Sequence, residues 1–408
     1  MMKLLKLLLL LLLFIFPLGV LTRITPFSNV SFYAHDVVIF FVFFIYALFV
    51  VKDRGSIFAS KIFLPILIFN IYLLVSLFIN FKNLGSHEFY ISLLYPLRII
   101  LYSSLIFVFG LFDHSFIAKY KVGMFFSGLA FIILGFLQFV FYPNLRNLYY
   151  LGWDEHLSRF FSTFLDPNFA GAFIVLYIIF VLALLGESSL KGKKFFLLSS
   201  LLMSLIALAL TFSRSALIMF VVSIFVFLTF TKKVKLAVLL IGVVILSYVL
   251  IPTNFSLENT NLLRTASINA RQEEIIKAGK IFIDHPIFGV GFNSYRYARE
   301  NYGNMPQSLY QDHAGAGVPN IYMFLLATTG IAGLIFFLFL MSIIIKDSVS
   351  KIKSSTNFVH AAIATSIIGL LTQGLFENGF FYSFIMIWIF LLLGIAGSKK
   401  ISSKTNNK

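Results

Sequence analysis

The sequence predicts an all-α polytopic membrane protein of about 12 helices with one large extramembrane loop. Three observations carry that prediction. Of 408 residues, 60% are hydrophobic and only 12% charged, with a mean hydropathy of +0.95, more apolar surface than a soluble domain can hide. Apolar runs of roughly 17–25 residues, long enough to cross a hydrocarbon core, recur from end to end. All but two of the connections between them are short.

The leading run LLKLLLLLLLFIFPLGV begins with Lys3 and Lys6, as a signal peptide would. No small-x-small cleavage site follows, so it is read as a retained first helix over 4–22. Further spans are expected at 36–51, 62–80, 91–112, 122–142, 167–186, 195–211, 215–231 and 236–251. After a long loop come 320–345, 358–375 and 381–397. Residues 1–251 therefore form the first nine helices, 252–319 the large loop, 320–397 the last three helices and 398–408 a polar tail. The two long connections, 143–166 and 252–319, fall on the same side of the membrane. A loop of the second one's length is functional or has structure of its own. Within it, SINARQEEIIKAGKIFIDHP places Ile268, Ile275 and Phe282 at a spacing of seven, with Ile276 and Ile283 one step on. That stripe predicts a short amphipathic helix lying against the membrane surface and ending before Pro286.

The formal charge of +16 reads as a topology signal. Of the 32 basic residues, 20 fall on the side of the termini, against four acids, and the opposite side balances. Lys and Arg collect in cytoplasmic loops, so both termini are expected to be cytoplasmic and nucleic acid is not a partner. Cysteine is absent, which excludes disulfides, thiolate metal sites and thiol nucleophiles.

Arginine is distributed differently from lysine. Of ten Arg only Arg54 is cytoplasmic; Arg23, Arg98, Arg146, Arg159, Arg214, Arg264, Arg271, Arg296 and Arg299 lie at or toward the outer face. The guanidinium fork suits bidentate contact with phosphate or carboxylate, so these residues either pair with the outer acids or converge on an anionic ligand. Arg98 sits about two turns inside the fourth helix, where a charge costs roughly 2.5–3.5 kcal/mol unless it meets a partner, a polar cavity or the interface. Arg214 lies in the tight turn ALTFSRSALIMF, where Ser213 is placed to cap the following helix and leave an outward N-terminus beside the guanidinium. Arg271 leads the amphipathic helix, and Gly289 and Gly291 beyond it permit a tight turn and close backbone approach. Arg264, Arg296 and Arg299 add charge to a loop that is also rich in acids. His313, beside Asp312, forms a His–carboxylate pair of the kind that supplies a general base, although a solvated loop His is the commoner case. Asp166 with Pro167, and Pro319 with Asn320, read first as helix starts.

These segments, taken in order, resemble the O-antigen ligase and O-antigen polymerase family. FLDPNFAGAFIVLYI resembles the family's Pro-Asn opening of a central helix, and LALTFSRSALIMF its Ser-Arg turn. ARQEEIIKAGKIFIDHPIFGVGFNSY resembles the start of its large periplasmic loop, and PNIYMFLLATTGIAGLIFF its closing motif. The resemblance implies a GT-C-like glycosyltransferase of the bacterial inner membrane with its site facing the periplasm. The donor would be a saccharide on undecaprenyl pyrophosphate, and no metal or other cofactor is implied. The acceptor hydroxyl would belong to lipid A–core in a ligase, or to another lipid-linked repeat unit in a polymerase. Arg214 and Arg271 match the family's arginines and would hold the pyrophosphate, with Arg98, Arg264, Arg296, Arg299 and Asn320 as further contacts to pyrophosphate or saccharide.

One position departs from the family. Where ligases carry His, this chain has Pro319 before Asn320, while the nine residues Ile321–Thr329 and then Gly330 keep the spacing. Either His313 substitutes as the base, or the chain is a polymerase, the reading to which the substitution leans. Besides a non-enzymatic scaffold, which predicts that Arg214 or Arg271 can be replaced by Ala without effect on surface glycan, two other classes compete. A lipid-linked glycan flippase would show repeats and broken helices at matching positions, and no repeat is seen. A SEDS-type cell-wall glycosyltransferase would lean on a loop Asp such as Asp284 or Asp312.

Overall fold

The computed structural model describes residues 1–27, 30–52, 60–151, 154–187, 194–232, 239–246, 266–302, 317–354 and 358–397. The helices are α1 (Met2–Ile15), α2 (Ala34–Lys52), α3 (Phe63–Ile79), α4 (Ser86–Val108), α5 (His114–Phe141), α6 (Pro167–Gly186), α7 (Lys194–Leu210) and α8 (Arg214–Phe230). A ninth, α9, is described over 239–246. Then come α10 (Ala266–Asp284), α11 (Tyr295–Ala298), α12 (Ile321–Ser354), α13 (Phe358–Gln373) and α14 (Ser383–Gly397).

The chain is a mostly helical, multi-pass membrane protein. Among the described residues, 6 helices are long and apolar enough to cross a membrane, and five shorter apolar helices of 10–17 residues accompany them. A described helix overlaps each expected span, the ninth over 239–246, but only 6 of them are long enough to cross a membrane, so the count of twelve crossings remains an expectation. The last expected spans differ in detail: α12 runs on to Ser354, well past the predicted 345, and is broken at Gly330. A small departure from an all-α fold lies between α1 and α2, where β1 (Arg23–Phe27) and β2 (Val30–Tyr33) form an antiparallel hairpin.

Apolar residues circle α6 and α14 completely, which suits helices enclosed by protein on all sides. Nearly every residue of both is buried. Trp388 of α14 packs against Phe16, Phe173 and Phe180 at centroid distances of 5.0–5.7 Å. Around this centre stand α4, α8 and α13, while α1, α3, α5 and α7 present Leu, Ile and Phe outward, where a bilayer is the solvent. Gly171 lets α6 approach α8, since a Cβ there would lie 2.6 Å from the Ala216 Cβ. That approach brings the first turns of the two helices together.

Candidate functional site

Helix starts leave orphan N–H groups, and here the residues that satisfy them build a polar end on the bundle. Asp166 caps α6, its Oδ1 accepting from the N–H of Asn168 at 2.6 Å and of Phe169 at 3.2 Å, with Pro167 as the first helical residue. Ser213 caps α8 as expected, its Oγ accepting from the Ala216 N–H at 3.4 Å. The same hydroxyl donates to Asn168 Oδ1 at 2.8 Å, tying the two helix starts together. Asn320 caps α12 through the Met323 N–H at 2.9 Å and donates to the Leu375 carbonyl at 3.0 Å, which fastens α12 to the turn between α13 and α14.

Three charged residues join this framework. Arg159, buried in the connection before α6, donates to the carbonyls of Thr211 at 2.8 Å and Phe212 at 3.3 Å, closing the end of α7. Arg271 reaches from α10 to the α13–α14 turn, where Nη1 donates to the Phe376 carbonyl at 3.0 Å and Nη2 pairs with Glu377. The Glu377 carboxyl is buried beside it. Burial pushes that carboxyl up to about 7; the Arg271 charge opposes the rise and the Asp166 charge adds to it. Burial likewise raises Asp166, against the pull of its two backbone hydrogen bonds and of Arg159 and Arg271. Two arginines and two carboxylates therefore share one electrostatic environment at the starts of α6 and α8. Such a cluster can hold an anion on its guanidinium groups and exchange a proton at Glu377 near neutral pH.

The residues singled out from the sequence fall into separate groups. Arg271 and Asn320 meet at the α13–α14 turn, and half-buried Arg214 opens α8 next to the Ser213 cap. Arg98 belongs to a second cluster, on α4 three turns inside the helix start rather than two. Its Nη2 donates to Asp36 Oδ2 at 2.9 Å and to the Ser31 carbonyl at 3.0 Å, and the guanidinium lies 5.7 and 5.6 Å from the rings of Tyr33 and Tyr95. Tyr102 donates to the other Asp36 oxygen. This ion pair knits α2, the hairpin and α4. Arg299 pairs with Glu274 of α10 at 2.8 Å, and Glu274 also accepts from Lys277 at 3.0 Å and Tyr295 at 3.1 Å, so Arg299 serves to hold the α11 segment on α10. Half-buried Arg296 precedes it on α11. Arg264 and His313 lie outside the described residues.

Asp166 read from the sequence as a cap only, and Glu377 was counted merely among the outer acids. One signal was available for the latter: Glu377 is the single acid after Asp347, set in a short turn between two apolar helices.

Fold and site together define a multi-pass helical membrane protein with a mixed arginine–carboxylate centre at one end of its bundle. Residues 198–338 match the family model described as O-antigen ligase. The matched stretch runs from α7 to the middle of α12 and includes Arg214, Arg271 and Asn320. No curated protein matches the chain. Over that stretch the chain is similar to O-antigen ligases.

Proposed function

We propose that the protein transfers a saccharide from undecaprenyl pyrophosphate to an acceptor hydroxyl at the periplasmic face of the inner membrane, both termini being cytoplasmic. The observation that carries this reading is the seating of Arg271 against Glu377, within reach of Asp166 and Arg159. In the reaction, the acceptor oxygen bonds to the anomeric carbon while the bond from that carbon to the pyrophosphate oxygen breaks. The hydroxyl proton passes to a base, and the lipid pyrophosphate leaves with the bonding pair. Arg271 and Arg214 hold the departing pyrophosphate; charge-assisted hydrogen bonds contribute about 1.5–3 kcal/mol each, and more where they strengthen in the transition state. Glu377 is the base in this scheme, since a carboxylate titrating near neutrality is matched to that task and the family's His is replaced by Pro319. Arg98, Arg264, Arg296, Arg299 and Asn320 are secondary contacts or supports, and His313 is an alternative base. Membrane lipids and the glycan acceptor are the remaining partners, and no metal takes part.

The Pro319 departure favours a polymerase, whose acceptor is a second lipid-linked repeat. A gel of surface lipopolysaccharide from a deletion strain, beside strains complemented with wild type and with Arg271→Ala, tests the proposal. Lipid A–core capped by single repeats identifies a polymerase. Bare core with polymer left on the carrier identifies a ligase. An unchanged ladder in both mutant strains refutes the assignment.

A further inference from the structure

The loop after α10 does not stay at the surface. Gly330 interrupts α12 with φ 68° and ψ −171°, freeing backbone groups on both sides of the break. The turn over 286–291 fills that break. The N–H groups of Val290 and Gly291 donate to the carbonyls of Ala327 and Thr328 at 3.0 and 2.9 Å, and Ile331 N–H donates to the Pro286 carbonyl at 2.9 Å. Helix α3 satisfies the carbonyls that remain. Tyr72 donates to Ile287 at 3.2 Å and Thr329 at 2.9 Å, Ser76 to Phe288 at 2.8 Å and Thr328 at 3.0 Å, and Asn80 to Gly289 at 3.0 Å.

The spacing of these three donors measures depth. Asn80 stands at the end of α3, so Tyr72, eight residues back, lies about 12 Å along the helix from it. Irregular backbone at such depth persists only where its polar groups are paired within the protein, and here five side-chain hydrogen bonds from α3 do the pairing. Around the turn the surface is open and mostly apolar, with Asp284 exposed beside Ile283 and accepting a hydrogen bond from the Tyr302 hydroxyl. Ile283 is 74% exposed and Ile287 58%. The helices that clamp the turn are outwardly apolar as well, at Ile71 and Val75 of α3 and at Ile331 and Ile335 of α12. Two turns before Ile283 the outward residue of α10 is still apolar, Ile276, and about three turns before it the outward residues are Gln272 and Glu273.

We propose that α10 is a tilted interfacial helix whose C-terminal end and following turn form a re-entrant wedge in the bilayer, with lipid covering Ile283, Ile287 and Phe288. Its N-terminal end, which carries Arg271, stays at the level of the headgroups. The wedge thereby sets the height of Arg271 relative to the membrane through the clamp on α3. Lipid is the occupant because this apolar face continues the outward faces of two helices that are themselves in the membrane, and because the clamp pairs backbone groups as a low-dielectric surrounding requires.

The absence of cysteine makes the test clean. Single variants Gln272→Cys, Ile276→Cys, Ile283→Cys and Ile287→Cys are spin-labelled and reconstituted into vesicles of phosphatidylethanolamine and phosphatidylglycerol at low protein density. Val75→Cys serves as the in-lipid reference. Collision with oxygen relative to collision with a water-soluble nickel chelate should rise severalfold from 272 through 276 to 283 and 287, the last two approaching the Val75 value. Equal access of the nickel chelate at 272, 283 and 287 overturns the wedge. Immobile labels at 283 and 287, shielded from both reagents, overturn it in favour of a protein contact. The measurement needs no glycan substrate, so its failure leaves the proposed activity standing, and the reverse holds.

Discussion

Replacing Gly330 by Ala probes how the clamp controls the site. An added Cβ would lie 2.2 Å from the Ile287 oxygen and 2.3 Å from its carbon, and ordinary contact begins near 3.4 Å, so the turn and α12 must separate by about 1 Å. The backbone conformation itself suits only glycine, costing about 1–3 kcal/mol for any other residue. Separation also loosens the hydrogen bonds of Tyr72 and Ser76, each contributing about 0.5–1.5 kcal/mol. Losing two or three of them brings the expected destabilisation to about 2–7 kcal/mol. A shift of this size also carries α10, and a misplacement of about 1 Å can cost on the order of 100-fold in rate. Gly279→Ala is the control: on α10 its Cβ would meet only the Met323 Cε at 3.6 Å, so helix propensity should make the change neutral or stabilising by about 0.5–1 kcal/mol. Thermal unfolding of the detergent-purified variants, beside the glycan gel of complemented strains, reads both effects. Wild-type melting and a wild-type ladder for Gly330→Ala would refute the clamp.

Arg271→Lys should lose most glycan assembly despite keeping the charge, because a point charge cannot serve the Phe376 carbonyl and Glu377 together; a complemented ladder near wild type would contradict this. For Glu377, the carboxylate form that accepts a proton dominates above about pH 7, so turnover in reconstituted vesicles should rise as pH increases through that value. Glu377→Gln should abolish that limb while donor affinity changes less. Asp166→Asn keeps an N-cap and should retain stability, whereas Asp166→Ala should cost about 0.5–2 kcal/mol, as melting temperature will report. Asp36→Ala should destabilise by about 3–5 kcal/mol by stranding Arg98, and adding Arg98→Met should recover part of that loss. If Arg98→Met alone erases the glycan ladder without moving the melting temperature, Arg98 contacts substrate instead.

Local chemistry made much of this architecture legible in advance. Apolar run lengths report spans because the bilayer imposes them. The Ser213 and Asp166 caps follow from residue type beside an apolar run, and Gly289 and Gly291 do adopt positive φ, at 64° and 105°. Gly330 was visible only as a spacing mark, since a glycine inside an apolar run gives no hint that another backbone will occupy the break. The partners of Arg98 and Arg271 were illegible for a related reason. Asp36 is 62 residues from Arg98 and Glu377 is 106 from Arg271, and only the packing of the helices selects these acids among the outer ones. The 23–33 hairpin was hidden because its short strands lie in what reads as a connection between two helices.

The excess of arginine on one face therefore resolves into different kinds of work. Arg98 and Arg299 pair with carboxylates in hydrogen-bonded sites that brace helices, and Arg159 closes the end of α7. Arg271 differs because its partner is a carboxyl that burial has already drawn toward protonation, with a second carboxylate near it. The formal charges of Arg159, Arg271, Asp166 and Glu377 cancel. A pyrophosphate entering such a centre adds negative charge, which favours protonation of Glu377 further and weakens its hold on the Arg271 fork. The same proton that frees Arg271 for the donor must then be lost before Glu377 can accept another from the acceptor hydroxyl. On the proposed mechanism, donor binding and acceptor activation are thus opposite uses of one carboxyl, which is why its value near neutrality, and not its charge alone, suits it to the site.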